Sequence, residues 1–252
     1  GWHNYTSADE GNTIVAQEGQ NIDVYLTWDR WPTTEQNYDV YLYRSSDNVL
    51  VASSASTQNG TQAPSESFRY TVPAGQGGNY WIGIYNRSSA GDARFQLLCF
   101  QYFLQYQTAD GSLGGQPADA ASAMTVGAIP YNSTTLEDFS SRGPTIDGRV
   151  KPDNVAPDKV STATYGAQGF LGTSAATPHV AGAAALLKGA YPAYSPANIQ
   201  NYLQNNATDL GIPGRDYWFG SGLLHLGTAP PDTAAPSVNN VQPAGSISSN
   251  SF

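Results

Sequence analysis

The chain has 252 residues, of which 40% are hydrophobic and only 12% charged, so it holds enough apolar material for one large domain or two ordinary ones. Its 11 Lys and Arg are scattered among 20 Asp and Glu, which leaves no cationic cluster to neutralise a phosphate backbone and excludes nucleic acid as a partner. The single cysteine, Cys99, excludes an internal disulfide, and no apolar run is long enough to span a membrane.

The low charge and the many Tyr, Asn, Gln, Ser and Thr residues point to a secreted or extracellular protein. No basic-then-apolar leader opens the chain, so an export signal is expected upstream of Gly1. Cys99 sits in the apolar run Phe95-Gln96-Leu97-Leu98-Cys99-Phe100 and reads as a buried packing residue.

From Thr13 to Tyr102, short runs of Tyr, Trp, Val, Ile and Leu alternate with Gly, Asn, Ser and Pro clusters, the pattern of an all-β sandwich. Ile22–Trp28 and Tyr38–Tyr43 alternate inward and outward side chains and are expected to be paired core strands. Ser67–Val72, Tyr80–Tyr85 and Arg94–Tyr102 continue the series, with 73–78 as a turn. Outward Trp and Tyr on such strands suit either packing or a carbohydrate platform, and packing is the commoner use.

After Gln107 the composition turns Ala- and Gly-rich, with a short apolar run at Met124–Ile129. Ser174 to Tyr191 places Val180, Ala183, Ala184 and Leu187 at helical spacing and predicts a mostly buried helix, with Pro178 in its first turn. Ser195 before Pro196 predicts a second helix, capped by the hydroxyl and presenting Ile199 and Leu203 on one face. The segment from Thr228 to Pro236 reads as a stiff linker, and Val238 to Phe252 as the opening of a further β domain.

Ser174 is the candidate for chemistry. A serine hydroxyl attacks a carbonyl only with a base in hydrogen-bond reach and donors for the oxyanion. Ser174 follows Gly172-Thr173 at a helix start, where backbone N–H groups have no intrahelical partner and the helix end is positive. Small residues at Ala175, Ala176, Ala181 and Gly182 keep it approachable. Alanine-rich buried helices also begin this way for packing reasons alone, and local physics leaves both readings open.

The stretch Gly172-Thr173-Ser174-Ala175-Ala176-Thr177-Pro178-His179-Val180-Ala181-Gly182 closely resembles the serine motif of the subtilases. Phe139–Pro144 and Lys151–Pro157 are similar to two further motifs of that family, in the expected order, as are Pro117–Ala120 with Thr125–Ala128, and Phe219–Leu224. Trp2-His3, Leu26–Asp29 and Pro64–Glu66 resemble a β-sandwich inserted into the protease domain of some secreted subtilases. Ala175 stands where many members have methionine, and Asp158 where glycine is common.

The resemblance implies a mixed fold. A jelly-roll-like sandwich insert (1–106) is followed by the C-terminal half of a subtilisin-like doubly wound α/β domain (107–228), then by linker and further β domain (229–252). It implies a serine endopeptidase acting on protein or peptide through an acyl-enzyme, without cofactor, with Ser174 as nucleophile and its own N–H as an oxyanion donor. Gly172, Thr173, Pro178 and His179 support that motif. The family's triad runs Asp, His, Ser, and its Asp, its His and an oxyanion Asn are expected outside this chain, leaving the chain alone inactive.

The histidines offer no substitute. His179 lies five residues beyond Ser174 on one helix, turned about 140° and displaced about 7.5 Å, and reads as helix packing. His3 stands in Trp2-His3-Asn4 and not in the His-Gly-Thr helix start that the family resemblance implies for a catalytic histidine, and His225, in Leu224-His225-Leu226, reads as a packing residue. Asp147, Asp153 and Asp158 match no calcium-loop spacing and read as solvated loop carboxylates, so no metal is expected. Two other readings stay open: a secreted adhesin or glycan-binding protein with a degenerate protease remnant, and a short protein whose Asp and His come from a separate chain.

Overall fold

The computed structural model describes residues 1–88, 91–114 and 117–228; the expected linker and further β domain lie outside the described residues. Seven antiparallel strands come first: β1 (Asn12–Ala16), β2 (Asn21–Trp28), β3 (Tyr38–Arg44), β4 (Val49–Ser54), β5 (Ser65–Thr71), β6 (Gly78–Asn86) and β7 (Phe95–Cys99). They form a four-stranded sheet in the order β1-β6-β3-β4 and a three-stranded sheet in the order β5-β2-β7.

The two sheets enclose one core. Alternation along β2 turns Ile22, Val24, Leu26 and Trp28 inward to meet Val40 and Leu42 of β3 and Ile82 and Ile84 of β6. β2 and β3 are therefore not paired, as the pattern had suggested, but face each other from opposite sheets. Alternation specifies which side chains point inward; it does not say which strand supplies the hydrogen-bonding edge. Cys99 closes this core, as expected, and burial pushes its thiol up to about 12.

On the outer face of the larger sheet, Trp2 stands edge-on to Tyr41, Tyr43, Trp81 and Tyr85, with ring centroids 5.0–6.2 Å away. Tyr43 and Trp81 stack at 4.2 Å. Trp2 fits there because Gly83 has no side chain: a Cβ on Gly83 would come within 2.8 Å of the Trp2 ring. The rings spend their faces and edges on one another, and the cluster pins residues 1–3 to the sheet through His3 N–H on the Ile84 carbonyl.

The second region has β8 (Val126–Pro130) parallel to β9 (Asn154–Asp158), the hairpin β10 (Val160–Thr162) and β11 (Gly166–Phe170), then α1 (Thr173–Ala190) and α2 (Pro196–Asn206). Residues Gly222–Leu224 lie along the other edge of β9, where Val155 N–H donates to the Gly222 carbonyl and Leu224 N–H to the Val155 carbonyl. α2 begins as predicted: Ser195 Oγ accepts the Asn198 N–H, the Asn198 side chain accepts the Ser195 N–H, and Pro196 is the first helical residue. Leu203 is buried on its inner face.

α1 departs from expectation. Only Ala175, Ala176, Val180, Ala183 and Leu187 are buried, against β8, β9 and α2, while Ala181, Ala185, Leu186 and Ala190 on the opposite side are exposed. The alanine-rich composition hid this, since alanine suits a buried and an open face alike. Among the described residues no helix is long and apolar enough to cross a membrane.

Candidate active site

The hairpin β10–β11 delivers the chain to Gly172, which sits at φ +103° and turns it into α1. This is a backbone conformation that a side chain would strain, and no neighbouring atom comes within 3.4 Å of the position a Cβ would take, so dihedral freedom rather than space requires glycine here. The Gly172 carbonyl accepts the N–H groups of Ala175 and Ala176 at 2.9 and 3.3 Å.

Thr173 opens the helix, which places Ser174 within its first turn rather than just ahead of it. Ser174 is exposed and its hydroxyl has no hydrogen-bond partner among the described residues. Its N–H is one of the first-turn donors that no intrahelical carbonyl can reach. No side chain caps this helix and no acidic residue lies in its first turn, so the positive end stays open beside the hydroxyl. An anion forming there would be stabilised.

Pro178 is the sixth helical residue and lies beyond the first turn, because the helix already starts at Thr173. It has no N–H to give the Ser174 carbonyl and loosens the helix there. The His179 ring Nδ1 donates to the Ala175 carbonyl at 2.8 Å. His179 is exposed and lies on the side of α1 that the described residues leave uncovered.

Neither other histidine meets Ser174. His3 contacts Tyr5 and Phe95 edge-on at 4.9 and 5.4 Å, and burial lowers its pKa. His225 Nδ1 accepts the Gly227 N–H at 3.0 Å. Among the described residues Ser174 therefore has a favourable place for an oxyanion and no base.

The three carboxylates weighed as loop residues differ from one another. Asp147 is exposed and pairs with Arg149 at 2.7 Å. Asp153 is 1% exposed and accepts from Lys151 Nζ at 2.5 Å, Arg215 at 2.7 Å, Thr125 N–H at 2.8 Å, Gln204 at 3.0 Å and Gln200 at 3.3 Å. Asp158 is 0% exposed and accepts the Gly172 N–H at 3.1 Å. Asp153 and Asp158 are thus structural carboxylates at the two ends of β9, not solvated ones. Among the described residues no group of three His, Cys, Asp or Glu is placed to hold a metal.

The two upstream motifs form the frame behind this turn. Ser140 Oγ accepts the Ala128 N–H at 3.0 Å, Gly143 N–H donates to the Tyr217 carbonyl at 2.8 Å, and the Arg142 guanidinium lies 4.2 Å over the Trp218 ring. Gly143 passes so close to Lys151 that a Cβ would stand 2.3 Å from the Lys151 carbonyl oxygen.

A family model, Peptidase_S8 (Subtilase family), matches residues 34–222, well over half of the chain. The chain belongs to the subtilase family. Among curated subtilases it is 42% identical over 118 residues to alkaline elastase YaB of Bacillus sp. (strain YaB), covering 46% of this chain and 29% of that protein. It is 41% identical over 116 residues to subtilisin Savinase of Lederbergia lenta, covering 45% of this chain and 39% of that protein. The chain thus spans less than half the length of the curated relatives it matches. The structure of the Clostridium perfringens CspB protease shares its fold at a TM-score of 0.66 and 18% identity, over 86% of this chain and 52% of that one.

Sequence reasoning found Ser174 and the glycine before it. It weighed Asp158 only as a metal ligand and as a departure from the family. The signal that could have exposed its role, a carboxylate ending a strand ahead of a Gly-Thr-Ser turn, spans 14 residues and needs the fold to bring its ends together.

Proposed function

We propose that this chain carries the nucleophile of a subtilisin-like serine endopeptidase. The carrying observation is the placement of Ser174: an exposed, unpartnered hydroxyl in the first turn of α1, beside N–H groups with no intrahelical acceptor. Ser174 Oγ attacks the carbonyl carbon of a peptide bond while a base removes its proton. The resulting oxyanion is held by the Ser174 N–H and the positive end of α1. Collapse of the tetrahedral species expels the amine and leaves an ester on Ser174, which water then hydrolyses.

The base and its orienting carboxylate belong, in this reading, to a part of the domain outside residues 1–252. The engagement of the three histidines elsewhere supports this, as does the open side of α1, where Ala181, Ala185 and Leu186 await cover. Residues 1–106 are proposed as a β-sandwich inserted into the protease domain, supported by the two sheets around one core. Residues 107–228 are proposed as the C-terminal part of the doubly wound catalytic domain. The weakly charged, polar-rich composition supports a secreted enzyme whose substrates are proteins or peptides.

A fluorophosphonate probe tests the assignment. The parent protein is expected to label at Ser174, and S174A to abolish labelling; a parent that does not label refutes the nucleophile. Peptide hydrolysis by residues 1–252 alone would refute the claim that the base lies elsewhere.

A further inference from the structure

β9 ends in Asp158, whose side chain reaches the turn that leads into α1. Oδ2 accepts the Gly172 N–H at 3.1 Å, while Oδ1 is buried with no hydrogen-bond partner among the described residues. A carboxylate oxygen taken out of water and left unpaired destabilises a fold, which singles out Asp158 for a role beyond packing.

Both ends of the contact are held by further interactions. The Asp158 carbonyl accepts the Tyr131 N–H at 3.0 Å, Lys159 follows at φ +53°, and Lys159 Nζ is anchored to Glu137 Oε1 at 2.5 Å. On the other side, Gly172 gives its N–H to Asp158 and its carbonyl to the amides of Ala175 and Ala176. The two peptide planes flanking Gly172 are therefore fixed from below and from within the helix, and the direction in which the chain enters Thr173 and Ser174 follows from them.

We propose that Asp158 is the positioning residue of the nucleophile: through Gly172 it sets the orientation of the Ser174 hydroxyl and N–H. The proposal rests on the reading of Ser174 as the nucleophile. Asp158 touches neither substrate nor reacting atoms and acts only through the turn, so its loss should lower the rate of acyl transfer and leave binding of the peptide nearly untouched.

The test uses the full-length parent with D158A and D158N, followed by peptide kinetics, fluorophosphonate labelling and hydrogen exchange of the amides from Gly172 to Ala176. D158A is expected to lower kcat and the labelling rate roughly a hundredfold with KM changed less than about twofold, the size expected for a misplaced reacting group. Exchange at 172–176 should accelerate while the β8 and β9 amides stay protected. D158N keeps an acceptor for Gly172 and is expected to recover at least about a tenth of the parental kcat. A D158A variant that labels at the parental rate, or a D158N variant as slow as D158A, overturns the proposal. A parent that fails to label, with 172–176 still protected by Asp158 and exposed by Ala, overturns the nucleophile itself and this role with it.

Discussion

Replacing Asp153 by Ala probes the frame on which the nucleophile turn stands. Asp153 is 1% exposed and the Lys151 side chain 4%, so the pair is out of water. Without the carboxylate, the Lys151 ammonium keeps only the Ala123 carbonyl, and an uncompensated buried charge of this kind costs about 3–5 kcal/mol. The Thr125 N–H also loses its acceptor, which adds about 1–3 kcal/mol, whereas Arg215 is 40% exposed and returns to water at little cost.

A total of about 4–8 kcal/mol corresponds to a melting temperature lowered by roughly 10–30 °C for a protein of this size. The structure also predicts an asymmetry. K151M should cost clearly less than D153A, because Asp153 would keep Arg215, Thr125, Gln200 and Gln204 as donors. Scanning calorimetry of the parent and both variants measures this. A D153A cost near 1 kcal/mol or less, the value of a surface pair, or a K151M cost equal to it, refutes the hub.

Gly172→Ala forces a side chain onto a backbone at φ +103° and should cost about 1–3 kcal/mol, with fluorophosphonate labelling of Ser174 falling further than stability does. Gly83→Ala drives a Cβ to 2.8 Å from Trp2 and 2.9 Å from Trp81, and tryptophan emission should shift to the red as residues 1–3 leave the sheet. His3 titrates below its ordinary 6.5 because burial disfavours the imidazolium. The folded chain then binds its proton less readily than the unfolded chain, so the contribution of His3 to stability is present above pH 6.5 and lost as pH falls through the lowered folded value. Unfolding midpoints measured down to pH 5 should show this decline, and H3F should flatten it.

Much of the chain was legible from local rules. Five of the seven sheet strands follow from side-chain alternation, and the start of α2 follows from Ser195 and Pro196, because a cap is settled within four residues. Short, half-exposed β4 lacks a clean alternating face, and its place in the sheet comes from pairing with β3.

What the sequence alone determined about this protein is a nucleophile candidate: Gly172-Thr173-Ser174 at a helix start, with His179 turned away from it on the same helix. What only the tertiary structure decided is everything that depends on distant partners. β2 and β3 face across a core instead of pairing, half of α1 stands open, and of two aspartates that look like loop carboxylates one is a buried hub and the other is buried against Gly172. The physical reason is common to all three. A side chain's burial and its hydrogen-bond partners are properties of the surface that packs against it, and for Asp153 that surface comes from residues as far away as Arg215.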